Sequence, residues 1–342
     1  MHLNSSDFLK YISKKMLNSI HYHKNHNKKD IFLFSSFRSG STWLAELIKS
    51  QKGIKFAISP NKIEFLANID DYYKQIKKRP YYIQLDSREK EIIKNYINNT
   101  SDGSSIYGRR YVDLFSSEHS FITDRSIYRL LRSNYLIDWY NENFNIFTIF
   151  LLRHPIAASL SRKKIWEVSK NPDYWSPNTT YFLNSDYFVS NYLKKEQLDY
   201  LKSKLKNSGV LEKFVISWAL ENFSMIQRAQ SKKLNENIIF VTYENLLINP
   251  EKVINYLSKK LDLSAPETML KKIKVPSSTV NYSDDQTKNK FAANNYDPQY
   301  LLKKWKKEVR PDTEKEIFNI LKKLNINIYQ LDRFRAQDEF II

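Results

Sequence analysis

The stretch that most constrains the fold is residues 31–48, Ile-Phe-Leu-Phe-Ser-Ser-Phe-Arg-Ser-Gly-Ser-Thr-Trp-Leu-Ala-Glu-Leu-Ile. Its first four residues have the length and apolar character of a buried strand. Trp43, Leu44, Leu47 and Ile48 then recur at helical spacing, with a turn of small and polar residues between. Strand, small-residue turn and helix is the way an α/β fold aims backbone N–H groups and a helix N-terminus at an anion. Gly40 permits close approach of the backbone, Ser39, Ser41 and Thr42 add hydroxyls, and Arg38 adds a guanidinium fork. The chain has only five glycines, so one in this turn is informative. The turn reads as a phosphate cradle.

An ATP- or GTP-binding loop needs Gly, four spacers and Gly-Lys-Ser/Thr. Ser35 stands in place of the first Gly and Ser41 in place of the Lys. That reading fails at two fixed positions. A second anchor follows the apolar run 145–152, whose continuous hydrophobic character predicts a central parallel strand. Arg153 closes it and Ser161 lies eight residues on, in a helix predicted over 156–165. Ligands of open α/β sheets bind at strand carboxyl ends, so Arg153 is expected on the same edge as Arg38.

Together, Phe37-Arg38-Ser39-Gly40-Ser41-Thr42-Trp43 and the Arg153 to Ser161 segment resemble the two nucleotide-binding motifs of sulfotransferases. These enzymes use 3′-phosphoadenosine 5′-phosphosulfate (PAPS). The resemblance covers about residues 30 to 330, because Tyr243-Glu-Asn-Leu and the loop at Ser277, Ser278 and Thr279 also match family segments. It implies an α/β domain with a central parallel sheet flanked by helices, like the P-loop NTPases. It further implies that Arg38, Ser39, Gly40, Ser41 and Thr42 hold the 5′-phosphate end, that Arg153 and Ser161 hold the 3′-phosphate, and that Trp43, Tyr243, Ser277, Ser278 and Thr279 contribute to the nucleotide site. Trp43 fits helix core equally well. No metal is required. Two departures stand out: Arg38 replaces the Lys of many members, and the late Arg-Lys-Gly loop of the cytosolic branch is absent.

Sulfuryl transfer needs a base for the acceptor proton and positive charge on the leaving phosphate, the second of which falls to Arg38. Cytosolic members place a His after the third strand, and this chain has none there. Glycan- and tyrosine-modifying members use a Glu after the second strand, and Glu64 falls at that place. Asp124, at the end of a third strand expected over 120–124, is the reserve. Stretches 62–110 and 167–208, rich in Tyr, Trp, Lys and Arg, are expected to shape the acceptor cleft. They suit a carbohydrate, an acidic glycan or a small-molecule natural product, accepting at a hydroxyl or amine.

Further strands are expected at 54–58 and 236–242, and helices at 128–140, 214–229 and 251–261, an alternation that predicts a parallel sheet. Residues 1–29 read as a basic amphipathic helix and polar connector, and 30–335 as one domain. The formal charge of +18 favours anionic partners, but the lysines are scattered rather than clustered, which argues against a nucleic-acid-binding module. A P-loop-like nucleotide kinase is the other alternative, weakened by the missing Lys. With no cysteine, no disulfide framework is available; with no hydrophobic leader in view, a cytoplasmic enzyme is the expectation.

Overall fold

In a computed structural model, residues 22–24, 28–57, 79–101, 120–277 and 296–340 are described. The core is a five-stranded, wholly parallel sheet in the order β3-β5-β2-β6-β7. Its strands are β2 (Asp30–Ser35), β3 (Ile54–Ala57), β5 (Arg125–Leu130), β6 (Ile146–Leu152) and β7 (Ile238–Thr242). A separate parallel pair joins β1 (Tyr22–His23) to β4 (Ile122–Thr123). Part of the expected connector is therefore a short strand, with His23 Nδ1 and Thr123 Oγ1 2.8 Å apart.

Strand periodicity divides the core in two. Phe32 and Phe34 face one layer, with Tyr128, Tyr140 and Phe150. Ile31 and Leu33 face the other, with Leu44, Leu47, Ile149 and Val241. A strand between two apolar layers has no polar face, which is why 31–34 and 146–152 read as continuous hydrophobic runs.

Helices fill both layers. The helix α1 (Ser41–Lys49) follows β2 directly, and α2 spans Ser87–Ser101. Between β5 and β7 come α3 (Ile137–Asn143), α4 (Pro155–Val168), α5 (Pro172–Trp175), α6 (Thr179–Leu183), α7 (Asp186–Tyr192), α8 (Lys195–Asn207) and the long buried α9 (Val210–Gln230). After β7 lie α10 (Tyr243–Ile248), α11 (Pro250–Leu261), α12 (Pro266–Lys272), α13 (Pro298–Lys303) and α14 (Pro311–Lys323). Among the described residues no helix is long and apolar enough to cross a membrane.

One expectation is overturned. Residues 125–130 are a central strand rather than the end of one, and the helix expected from 128 begins only at Ile137, after a 3₁₀ turn over Asn134–Leu136. The charges at 125, 129 and 132 recur at intervals of four and three, which imitates the polar face of a helix. Tertiary burial overrides that local pattern. Ile127, Tyr128 and Leu130 are fully buried, each contributing about 1.5–3 kcal/mol, against a strand-propensity spread of about 1 kcal/mol. The charges are absorbed by partners: Arg125 donates to the Leu261 carbonyl at 2.6 Å, and Arg129 reaches Thr42.

The order β5-β2-β6 puts the switch of winding direction on β2. The chain leaves β2 to build β3 and β5 on one flank, then crosses to β6 and β7 on the other. The crevice beyond the carboxyl ends of β2 and β6 is therefore where such a sheet takes a ligand.

Candidate active site

The loop 36–40 occupies that crevice. Gly40 caps α1 in the left-handed region, at φ 88°, and the first bond of the helical ladder runs from Leu44 N–H to the Gly40 carbonyl, 3.1 Å. The N–H groups of Ser41, Thr42 and Trp43 thus precede the ladder and point out of the helix start. Gly40 is required twice over. Its φ suits glycine, and a Cβ there would lie 2.4 Å from Cδ2 of the Tyr243 ring. Ser36 and Ser39 hydroxyls are bonded to each other at 2.8 Å inside the turn.

Arg38 also has a left-handed backbone, φ 63°, a conformation that costs a non-glycine residue about 1–2 kcal/mol. Two contacts hold it there. Its Nε donates to Ser161 Oγ at 3.0 Å, and its carbonyl accepts from Arg153 Nη1 at 2.9 Å. Ser35 is level with Leu151 in the β2–β6 register, so Phe37, two residues past β2, comes level with Arg153, which directly follows β6. The structure thereby brings Arg38, Arg153 and Ser161 into one cluster, from two segments more than a hundred residues apart in the chain.

Two guanidiniums share this cluster, and the nearest acid is engaged elsewhere. Glu244 accepts from the His154 backbone N–H and from the Tyr329 hydroxyl, both at 2.8 Å. Burial raises its pKa, partly offset by those two bonds and by Arg153. Burial and then the Arg153 charge pull Arg38 down to about 10, so Arg38 remains cationic at neutral pH. A pair of like charges held this way attracts an anion.

The remaining residues take supporting positions. Tyr243 lies beneath Gly40, with the Arg153 guanidinium 4.4 Å from its ring centroid. Trp43 is buried against Tyr243, and its indole N–H donates to the Val275 carbonyl at 3.2 Å, which ties the cradle helix to the segment ending at the buried Ser277. His154 is core. Stacked at 4.7 Å on Trp305 and edge-on to Tyr329, it is held neutral, its pKa pushed down to about 3 by burial. Glu64, Ser278 and Thr279 lie outside the described residues.

Asp124 is not at this edge. It stands between β4 of the separate pair and the start of β5, which puts it at the amino edge of the five-stranded sheet, opposite the cradle. There it pairs with Lys28 at 2.7 Å and caps the Gly53 turn. Its expected role as reserve base fails on geometry: a parallel sheet separates the two ends of a strand by its full length.

Sequence reasoning missed the contribution of β5. Arg129 donates to the Thr42 hydroxyl of the cradle. Arg132, two residues past the strand, lies over the rings of Phe37 and Tyr174, at 5.4 and 4.3 Å. Reading 125–130 as a strand parallel to 31–34 would have carried both arginines to the cradle edge. Behind them a buried network fixes the adjoining wall. Glu221 accepts from Arg162, from the Tyr81 hydroxyl and from Ser217, and Arg162 Nε donates to the Trp175 carbonyl at 2.8 Å. That anchors α5, whose Tyr174 and Trp175 rings pack edge-on to Phe37, next to Arg38.

An α/β sheet with a small-residue cradle at its switch point and a second cationic clamp on the next strand defines a P-loop-like phosphate-binding protein. The family model of the sulfotransferase domain matches residues 28–327. The chain belongs to that family, whose members transfer a sulfuryl group. No curated protein sequence matches it. Similar solved structures include mouse sulfotransferase SULT7A1 complexed with PAP, at 15% identity over 90% of this chain and 88% of that one, TM-score 0.39. A sulfotransferase domain from the curacin biosynthetic pathway is 15% identical over 89% and 99%, TM-score 0.46. Retinol dehydratase in a complex with retinol and PAP is 14% identical over 93% and 85%, TM-score 0.35.

Replacing Gly40 by Ala combines a strained φ with a clash against Tyr243, and should cost about 1–3 kcal/mol in urea unfolding. An Ala variant as stable as the parent would show that the cradle relaxes freely.

Proposed function

We propose that the chain transfers the sulfuryl group of PAPS to a hydroxyl or amine of a carbohydrate or small-molecule acceptor. The observation that carries the reading is the joint placement of Arg38, Arg153 and Ser161 beside the start of α1, two cations and a hydroxyl with the neighbouring acid already engaged. A nucleotide with phosphates at both its 5′ and 3′ positions fits that charge pattern. PAPS, when bound, supplies a sulfuryl group activated by its phosphate leaving group.

This chain's residues divide the work. Arg38 neutralises charge on the leaving 5′-phosphate, while the Ser41 and Thr42 hydroxyls and the N–H groups at the start of α1 hold it in place and Ser39 shapes the turn through its bond to Ser36. Donors fixed before the ligand arrives need no reorganisation during the reaction, and removing one such donor typically costs about 10²–10³ in rate. Arg153 and Ser161 hold the 3′-phosphate, with Tyr243 supporting the Arg153 guanidinium from below. Arg129, bonded to Thr42, adds positive charge on the acceptor side of the cradle. Glu64 is the proposed base that takes the acceptor proton, now without Asp124 as competitor; a carboxylate among these cations needs partial desolvation to act so.

Thermal melting with 3′-phosphoadenosine 5′-phosphate (PAP), ATP and AMP tests the donor assignment. PAP at a hundred times its dissociation constant should add about 2.7 kcal/mol of stability, with ATP and AMP well below it. An equal shift with ATP would contradict the assignment and favour a kinase-like site. Glu64→Gln should keep the PAP shift and lose turnover; unimpaired turnover removes Glu64 as the base.

A further inference from the structure

We infer that Arg132 seats a carboxylate of the acceptor, so that the acceptor carries a carboxylate in addition to the group that is sulfated. The inference rests on the PAPS reading above and goes beyond it to the class of acceptor.

Arg132 is only 8% exposed, yet no carboxylate pairs with it among the described residues. Among the described residues its one hydrogen bond runs from Nη1 to the Arg79 carbonyl at 3.3 Å, and its Nε has no partner. The neighbouring acids are bonded to other groups. Glu221 serves Arg162, Tyr81 and Ser217 through Oε1, its Oε2 having no hydrogen-bond partner among the described residues, and Glu89 holds Arg79 through both carboxylate oxygens, at 2.7 and 2.9 Å. Removing a guanidinium from water is costly unless the charge is paired. The ring contacts with Tyr174 and Phe37 offset part of that cost. Ring contacts alone therefore leave Arg132 undercompensated, and an external anion supplies what is missing.

Topology assigns that anion to the acceptor rather than to the donor. The donor clamp spans β2 and β6, whereas Arg132 follows β5, on the opposite flank of β2. It looks past Phe37 toward α5, where the partly buried Tyr174 and Trp175 form an aromatic wall. A cation set in an aromatic wall beside the cradle orients an acceptor by its charged end.

The test titrates benzoate, benzyl alcohol and inorganic sulfate by calorimetry into full-length protein saturated with PAP. Benzoate should bind, benzyl alcohol should not, and Arg132→Gln should weaken benzoate at least tenfold while keeping the PAP melting shift. Should Arg132→Gln not fold, Arg132→Lys takes its place, with a severalfold loss expected because an ammonium lacks the bidentate fork. Absence of benzoate binding, or equal binding in the variant, overturns the inference. Sulfate binding without benzoate binding also overturns it, because Arg132 would then serve the donor's sulfuryl group. Absence of a PAP shift in the parent protein strikes the donor reading instead.

Discussion

The close approach of Arg38 and Arg153 is the interaction on which the rest of the site depends. Two partly buried guanidiniums repel, and Arg38 further adopts a backbone conformation unfavourable to any residue with a side chain. The surroundings hold them there by specific means. The β2–β6 register sets Arg153 level with Phe37, next to Arg38, Ser161 takes the Arg38 side chain, and the Arg38 carbonyl takes Arg153. Tyr243 supports both Gly40 and Arg153, and Tyr329 keeps the Glu244 carboxylate from Arg153. A fold that assembles this much structure to keep positive charge unneutralised is prepared for an anion.

The charge pattern continues along the same edge. From β6 across β2 to β5 stand Arg153, Arg38, Arg129 and Arg132, with acids only behind them, in Glu244, Glu221 and Glu89. Each acid holds a structural partner: the His154 turn, the Arg162 anchor of α5, or Arg79. Arg162 and Arg79, paired with carboxylates, fix the walls beside the crevice.

How much of this was legible in sequence depended on how local each signal is. The cradle and the Arg153 to Ser161 clamp were legible because each is a strand end, a turn and a helix start within about ten residues, where backbone geometry follows residue type. Their convergence followed from a general property of parallel sheets. By contrast, β5 was misread, since its arginines imitate a helix face and their compensating partners, Leu261 and Thr42, lie far away in the chain. The same error carried Asp124 to the wrong edge and hid Arg129 and Arg132. The Arg162–Glu221–Tyr81 network has no local signature at all; only packing of α4 on α9 reveals it.

The most direct measurement is the affinity of PAP relative to adenosine 5′-phosphate, by calorimetry, in the parent protein and in Arg38→Ala and Arg153→Ala. If the clamp is divided as argued, Arg153→Ala collapses the preference for the bisphosphate toward unity, while Arg38→Ala weakens both nucleotides and preserves their ratio. A ratio unchanged by Arg153→Ala would contradict the account, because the second cation would then have no phosphate of its own to hold.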